Sequence, residues 1–373
     1  MSAIPTAARI QLLWLKQLRR QLLWLLLITA LGIVLVVFHQ GPALLAALSP
    51  VDLTIVLKVS AALVLVLIPI SGIVSTSSQY AFWSGWLGGL PQVSDLFAGE
   101  ASTSQTPITV VYLDGIHQCE RDHPPRVSRF LDELEQQLPA HVRLLRGLEA
   151  YTVQPTRLAD DSGSQWFWQR LFALQESHPN GLLSVLCSVL VQANNVIKVG
   201  ISSDRRYGPI LNDELALKVC LRLAELGFRP GQHGNPGPQE LVLLGYSGGS
   251  EMAMGMADSL RRLCGCPVRI ISFCGVFSGN QLLEEVSDIT TVVGSRDPVA
   301  AFGRIAYPGR SPLLPLSNWN RALRRGQVRR RVIEAMNHNG DNGPFSARFR
   351  GAVVAAIVTA LTRPATAESM QTG

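Results

Sequence analysis

Residues 241–253 read Leu-Val-Leu-Leu-Gly-Tyr-Ser-Gly-Gly-Ser-Glu-Met-Ala, and they carry the clearest structural pattern in the sequence. The apolar run 241–244 predicts a buried strand, and residues 252–263 have the spacing of a helix. Between them lies the pattern Gly245-x-Ser247-x-Gly249, whose glycines permit a turn too tight for side chains on both flanks. The stretch therefore predicts a strand, a sharp turn that presents Ser247, and a helix.

Strands and helices alternate through the chain after residue 107. The predicted strands are 108–113, 141–145, 241–244, 268–274, 289–293 and 332–335, and the predicted helices are 126–138, 212–227 and 252–263. Such alternation predicts an α/β fold, in which helices cover both faces of a mostly parallel sheet.

A serine hydroxyl becomes a nucleophile only when a base takes its proton and a third group orients that base. Asp297 follows the predicted strand 289–293 and would lie at the carboxyl end of the sheet, unless it only forms a turn before Pro298. His338 is the only histidine after Ser247, and a solvated loop histidine is the alternative. The order Ser247, Asp297, His338 predicts a catalytic triad. Asp341 is the rival acid, less suited because it follows His338 within one loop.

On these residues, the chain from about 108 to 361 resembles the α/β-hydrolase superfamily of serine lipases, esterases and thioesterases. The resemblance implies the α/β-hydrolase fold, an acyl-enzyme mechanism, and an oxyanion hole formed by the backbone N–H groups of Ile116 and Gly248. At the first strand-to-loop corner this chain has Asp114-Gly115-Ile116, where the family commonly has His-Gly. His117 either lines the pocket or lies in a surface loop.

Residues 149–208 show no clear strand pattern and stand where such enzymes often insert a cap. This section contains Trp166-Phe167-Trp168 and the apolar run 182–191. The two segments either cover an acyl pocket as a cap or pack as core helices.

Two apolar runs near the N-terminus predict transmembrane helices. Residues 22–38 are almost unbroken Leu, Ile, Val, Ala and Trp, and 53–73 form a second run with Lys58 near its start. The short connection 39–52 contains glycine and proline, as expected for a turn. Residues 22–75 are therefore predicted to form a transmembrane hairpin.

The charge distribution predicts the orientation of that hairpin. Four basic residues precede the first run and none lies in the connection, which places the N-terminus and the catalytic domain in the cytoplasm. The predicted organisation is a basic amphipathic segment (1–21), the hairpin (22–75), a juxtamembrane aromatic segment and linker (76–106), a catalytic domain (107–363) and a flexible tail (364–373).

Composition agrees with a chain that lies partly in lipid, because 47% of its residues are hydrophobic and only 16% are charged. The net charge of +6 comes without any nucleic-acid-binding motif, so we expect no nucleic-acid partner. Part of it lies in a late arginine run that either faces anionic lipid or forms a solvated surface: Arg324, Arg325, Arg329, Arg330 and Arg331.

The six cysteines are scattered, with Cys187, Cys220 and Cys274 in apolar stretches, which argues against a disulfide framework. Cys264 and Cys266 form a lone C-x-C pair without a second ligand pair nearby. No nucleotide-binding loop or H-E-x-x-H pair is visible, so neither a metal nor a cofactor is expected.

Together these features predict a membrane-anchored serine hydrolase that cleaves a carboxylic ester, with lipid-like acyl compounds as substrates. A thioesterase or an acyltransferase would use the same site. The alternative to an enzyme is a non-enzymatic membrane scaffold or binding protein that retains the fold.

Overall fold

The computed structural model describes residues 108–118, 123–151, 195–205, 207–226 and 240–363, with the single residues Ala62, Gln192 and Phe228. All of these except Ala62 belong to one of the two compact units into which the chain divides. The predicted hairpin (apart from Ala62), the segments 1–21 and 76–106, most of the section 149–208 and the tail 364–373 lie outside the described residues. Within the described part, no helix is long and apolar enough to cross a membrane.

A six-stranded sheet forms the centre of the described unit. Its strands are β1 (Ile108–Leu113), β2 (Val142–Leu145), β3 (Glu240–Tyr246), β4 (Val268–Phe273), β5 (Asp288–Gly294) and β6 (Val328–Ile333). They are ordered β2-β1-β3-β4-β5-β6, and every neighbouring pair is parallel. The order reverses at β1, where β2 and β3 pair on opposite sides. Ligands of open α/β sheets bind in the crevice at the carboxyl ends of the strands beside such a switch point.

Helices cover both faces of this sheet. They are α1 (Pro125–Gln137), α2 (Gly208–Glu225), α3 (Gly249–Cys264), α4 (Pro298–Ala306), α5 (Asn318–Arg324) and α6 (Arg350–Leu361), with 3₁₀ turns at Pro308–Arg310 and Gly340–Asn342. Residues 195–203 are also helical.

Side chains of β3 alternate between two hydrophobic cores, as a pleated strand requires. Leu241 and Leu243 belong to the core that contains residues of α2, α3 and α5. Val242 and Leu244 belong to the core that contains residues of α1 and α6. The predicted α/β fold, with a parallel sheet between two helical layers, is confirmed.

The last strand differs from its prediction. β6 begins at Val328, whereas the apolar pattern placed it at 332–335. It is an edge strand that pairs only with β5, and its residues are partly or fully exposed. Arginines are therefore tolerated within it, so the rule that strands are apolar fails here.

Three helices, α4, α5 and α6, have no counterpart among the predicted elements. Two of them begin at side-chain caps. Asp297 accepts a hydrogen bond from the N–H of Ala300 at the start of α4, and Ser317 accepts one from Asn320 at the start of α5. Both helices are short, which leaves little apolar periodicity to detect.

Candidate active site

Ser247 lies on the turn between β3 and α3, with a backbone φ of 49°. This left-handed conformation is uncommon for a residue with a side chain. The N–H of Ser247 donates to the carbonyl of Phe273 at 3.3 Å, and its carbonyl accepts from the N–H of Val276 at 3.0 Å. The loop after β4 thus holds the turn in its strained conformation.

The two outer glycines of the pattern stand where no side chain fits. A Cβ on Gly245 would lie 2.6 Å from the Cα of Ser250. A Cβ on Gly249 would lie 2.5 Å from the carbonyl oxygen of Asp114. Glycine at these positions allows β3, the turn and the start of α3 to pack this closely.

The structure brings the three predicted triad residues together. The Oγ of Ser247 lies 2.9 Å from the Nε2 of His338. The Nδ1 of His338 lies 3.0 Å from each carboxylate oxygen of Asp297. Because the carboxylate accepts at Nδ1, that nitrogen carries the proton, and the lone pair of Nε2 faces the hydroxyl of Ser247. All three residues are buried.

Asp297 remains ionised in this buried position. Burial alone would raise its pKa, but hydrogen bonds from His338, from the N–H of Ala300 and from the thiol of Cys274 outweigh that effect. The net result is a pKa below the ordinary value for an aspartate. An ionised carboxylate is the form that orients a histidine and stabilises its protonated state.

The rival acid, Asp341, lies elsewhere. Its side chain is almost fully exposed, and a carboxylate oxygen lies 3.5 Å from an Nη2 of Arg126 at the surface. Asp297, in contrast, has both carboxylate oxygens 3.0 Å from the Nδ1 of His338.

Cys274 completes the polar cluster around Asp297. Potential ligand atoms of Cys274, Asp297 and His338 all lie within 4.8 Å of one another, the only such group in the described part of the chain. Burial and the nearby Asp297 charge raise the pKa of the Cys274 thiol, so it stays protonated. A metal would need a thiolate and a free lone pair on the histidine. The group therefore fits a hydrogen-bonded cluster better than a metal site.

The corner after β1 lies against Ser247. A Cβ on Gly115 would lie 3.3 Å from the Cβ of Ser247, and one on Gly248 would lie 3.1 Å from the Cγ2 of Ile116. Within the described residues, the backbone N–H groups of Ile116 and Gly248 donate no hydrogen bond. Two free donors beside a nucleophile can stabilise negative charge on a reacting oxygen.

Asp114 stabilises this corner from behind. Its carboxylate accepts hydrogen bonds from the N–H of Gly115 at 2.8 Å and the hydroxyl of Tyr112 at 3.1 Å. The Nδ1 of His123 lies 3.0 Å from the same carboxylate, while its Nε2 accepts from the N–H of Gly147 at 3.2 Å. Asp114 therefore has a structural role in the corner, and no sequence pattern identifies His123 as its partner.

A second set of contacts holds the corner from the other side. The Nδ2 of Asn195 donates to the carbonyls of Ile116 at 2.8 Å and Gln118 at 3.2 Å. The hydroxyl of Tyr151 donates to the carbonyl of Asp114 at 3.0 Å. Tyr151 stands near the start of the section 149–208 and Asn195 stands towards its end, so this section is fixed to the corner at both places.

His117 lies at the exposed side of the same corner. Burial lowers its pKa, Asp114 opposes this effect, and His338 adds to it. His117 is not part of the Ser247–His338–Asp297 chain of contacts.

Comparison of the sequence with protein-family models and with curated proteins finds no match. What the structure defines is an α/β protein with a parallel six-stranded sheet flanked by helices. Its function has to be inferred from the site itself.

Proposed function

We propose that this chain is a serine hydrolase of the α/β-hydrolase type that cleaves carboxylic esters through an acyl-enzyme on Ser247. The observation that carries the proposal is the continuous chain of contacts from Ser247 through His338 to Asp297. The strained turn, the chain order of the three residues and the switch point beside β1 agree with the family pattern.

In the first half of the reaction, the Oγ of Ser247 attacks the acyl carbonyl while the Nε2 of His338 takes its proton. Asp297 stabilises the resulting imidazolium. The N–H groups of Ile116 and Gly248 stabilise the negative charge on the former carbonyl oxygen. When the tetrahedral intermediate collapses, the bond to the leaving oxygen breaks, and His338 gives its proton to the departing alcohol.

In the second half, water replaces the alcohol. The Nε2 of His338 takes a proton from the water as its oxygen attacks the acyl carbon. The second tetrahedral intermediate expels the Oγ of Ser247, which recovers its proton from His338. One ester and one water give one acid and one alcohol, and the protein returns to its starting state.

The proposed substrates are lipid-like acyl esters, and the proposed location is the cytoplasmic side of a membrane. The support is the pair of apolar runs 22–38 and 53–73, because an anchored enzyme meets acyl lipids at high local concentration. A reporter fused to the C-terminus tests the orientation. Thioester hydrolysis or acyl transfer would use the same acyl-enzyme with another leaving group or acceptor.

The test is hydrolysis of p-nitrophenyl esters with short and long acyl chains, and of matching thioesters, by the detergent-solubilised full chain. We expect Ser247→Ala to lower turnover by about 10⁵-fold or more. Ser203→Ala is the matched control, because the Ser203 hydroxyl only contacts the carbonyl of Gly200. Unchanged hydrolysis by Ser247→Ala would exclude the proposed mechanism, and preference for thioesters would reassign the substrate class.

A further inference from the structure

Helix α4 presents its large apolar side chains to solvent. Its buried residues are the small Ala300 and Gly303, and a Cβ on Gly303 would lie 3.1 Å from the Cγ1 of Val276. Phe302 and Ile305 are 68% and 83% exposed. A surface helix of a soluble protein normally shows the opposite arrangement, with large apolar residues turned inward.

The loop 311–316, which follows α4 and its 3₁₀ turn, presents further leucines. Leu313 is 87% exposed and Leu316 is 81% exposed. Helix α5 holds the backbone of this loop in place. The Nδ2 of Asn320 donates to the carbonyls of Ser311 at 2.7 Å and Leu314 at 2.8 Å. The leucines are thus displayed by an anchored loop, and exposed apolar groups of this size usually mark an interaction site.

The same part of the chain is strongly basic. Residues 298–333 contain eight arginines and no aspartate or glutamate, whereas the remaining chain has 25 basic and 27 acidic residues. Three of the arginines pair with Glu284 or Asp288. The other five form no ion pair among the described residues: Arg304, Arg310, Arg324, Arg330 and Arg331.

Arg310 is the most constrained of these cations. Its guanidinium lies 3.8 Å from the centroid of the Phe277 ring, and its buried Nε and Nη1 have no hydrogen-bond partner in the described part of the chain. Burial, together with the charges of Arg304 and Arg330, lowers its pKa to about 10, although the charge of Glu251 opposes this effect. Buried donors without acceptors are costly, and an anion close to the guanidinium would stabilise its charge even without reaching these two atoms.

We propose that α4 and the loop 311–316, with Arg304, Arg310, Arg324 and Arg330 around them, form a docking surface for an anionic lipid bilayer. Phe302, Ile305, Leu313 and Leu316 would enter the acyl region, and the arginines would contact the phosphates. A nucleic acid would satisfy the arginines but offers no apolar phase to the side chains. A second copy of the chain would bring another cluster of the same sign.

Docking by this surface would hold the proposed active site against the bilayer, because α4 begins directly after Asp297. The inference extends the proposed function to a specific lipid surface. It does not depend on catalysis, since its readout is the environment of a label.

The test uses the full chain reconstituted in vesicles of phosphatidylcholine with phosphatidylglycerol. A single cysteine replaces Ile305 or Leu316 and carries an environment-sensitive fluorophore, and the unsubstituted protein gives the labelling background. Ala355→Cys on α6 is the matched control, because Ala355 is exposed and α6 covers the other sheet face from α5. We expect blue-shifted emission at 305 and 316, and about twofold or greater quenching by spin-labelled phosphatidylcholine, with little change at 355.

Arg310→Gln, combined with the label at 305, should reduce the quenching in anionic vesicles towards the value in neutral vesicles. Equal quenching at 305 and 355 would overturn the proposal. A blue shift at 305 in detergent without lipid quenching would assign the surface to a protein contact. A response to added DNA but not to anionic lipid would assign it to nucleic acid, which also overturns the proposal.

Discussion

The ring of Tyr246 stacks against the ring of His338, with centroids 5.6 Å apart and planes inclined by 25°. The hydroxyl of Tyr246 donates to the backbone carbonyl of His338 at 3.0 Å and also contacts the Oδ1 of Asn339. Tyr246 immediately precedes Ser247, so two adjacent residues supply the nucleophile and the side chain that supports His338. This contact links the turn after β3 to the loop that follows β6.

Tyr246→Phe tests this support. The variant keeps the ring stack but loses the hydrogen bonds, so His338 should be held less firmly. We expect turnover to fall about tenfold with little change in KM, and stability to fall by about 1 kcal/mol. Tyr207→Phe, at a 60% exposed tyrosine, is the control and should behave like the wild type. Unchanged turnover in Tyr246→Phe would show that the hydrogen bonds of Tyr246 are not needed to position His338.

Asp297→Asn tests the assignment of the acid. An amide at this position would favour the wrong tautomer of His338, and turnover should fall by about 10⁴-fold. Asp341→Asn serves as the matched control, since Asp341 is an exposed partner of Arg126. Kinetics of both variants on one ester substrate check the assignment, and a larger loss in Asp341→Asn would reverse it.

Gly249→Ala tests the close packing at the turn between β3 and α3. The new Cβ would meet the carbonyl oxygens of Leu113 and Asp114, and backbone atoms have no room to yield. We expect a loss of about 2 kcal/mol or more in the free energy of unfolding. Gly200→Ala is the opposite case, because a Cβ there meets nothing within 4 Å and the residue is helical. The free energy of unfolding of Gly200→Ala should therefore rise by about 0.5 to 1 kcal/mol. Denaturant titration of both proteins in detergent measures the contrast, and equal stabilities would contradict it.

The buried Lys198 should make the free energy of unfolding depend on pH. Burial lowers its pKa from 10.5 to about 7, partly offset by Glu214, and its Nζ donates to the carbonyl of Tyr151 at 2.5 Å. At a pH between about 7 and 10.5, Lys198 binds a proton in the unfolded chain but not in the folded chain. Stability contributed by this group therefore rises with pH across that window and is constant below it.

Lys198→Met removes this linkage. After the cost of the unpaired Tyr151 carbonyl, we expect the variant to be more stable than the wild type by about 2 kcal/mol at pH 7. The advantage should shrink as the pH rises towards 10.5, above which both states of the wild type have lost the proton. Thermal unfolding at several pH values measures it, and a pH-independent difference would contradict the role of Lys198.

The turn that presents Ser247 was predictable because the residues that determine it lie next to one another in the sequence. An apolar strand, two glycines and a helix lie within thirteen residues, 241–253. Asp297 and His338 were predictable because parallel strands bring the residues after them to one edge of the sheet. Asp341, the rival acid that was less suited because it follows His338 within one loop, has a side chain that lies in solvent.

The supports of the site were not predictable in this way. Asn195 meets the carbonyl of Ile116 across 79 positions, and no periodic pattern connects them. Cys274 was expected to be buried and is, yet its contact with Asp297 depends on the pairing of β4 with β5. Local patterns determine elements, whereas contacts of this kind depend on how those elements pack.

The most direct test of the central claim, that Ser247 is an activated nucleophile, is labelling by a fluorophosphonate probe. The detergent-solubilised full chain and its Ser247→Ala variant are treated side by side, with heat-denatured protein as the control for non-specific labelling. Labelling of the native wild type alone is the predicted result, because only a serine beside a base such as His338 reacts readily. Absence of labelling in both proteins would show that Ser247 is not activated and would favour a non-enzymatic scaffold with this α/β fold.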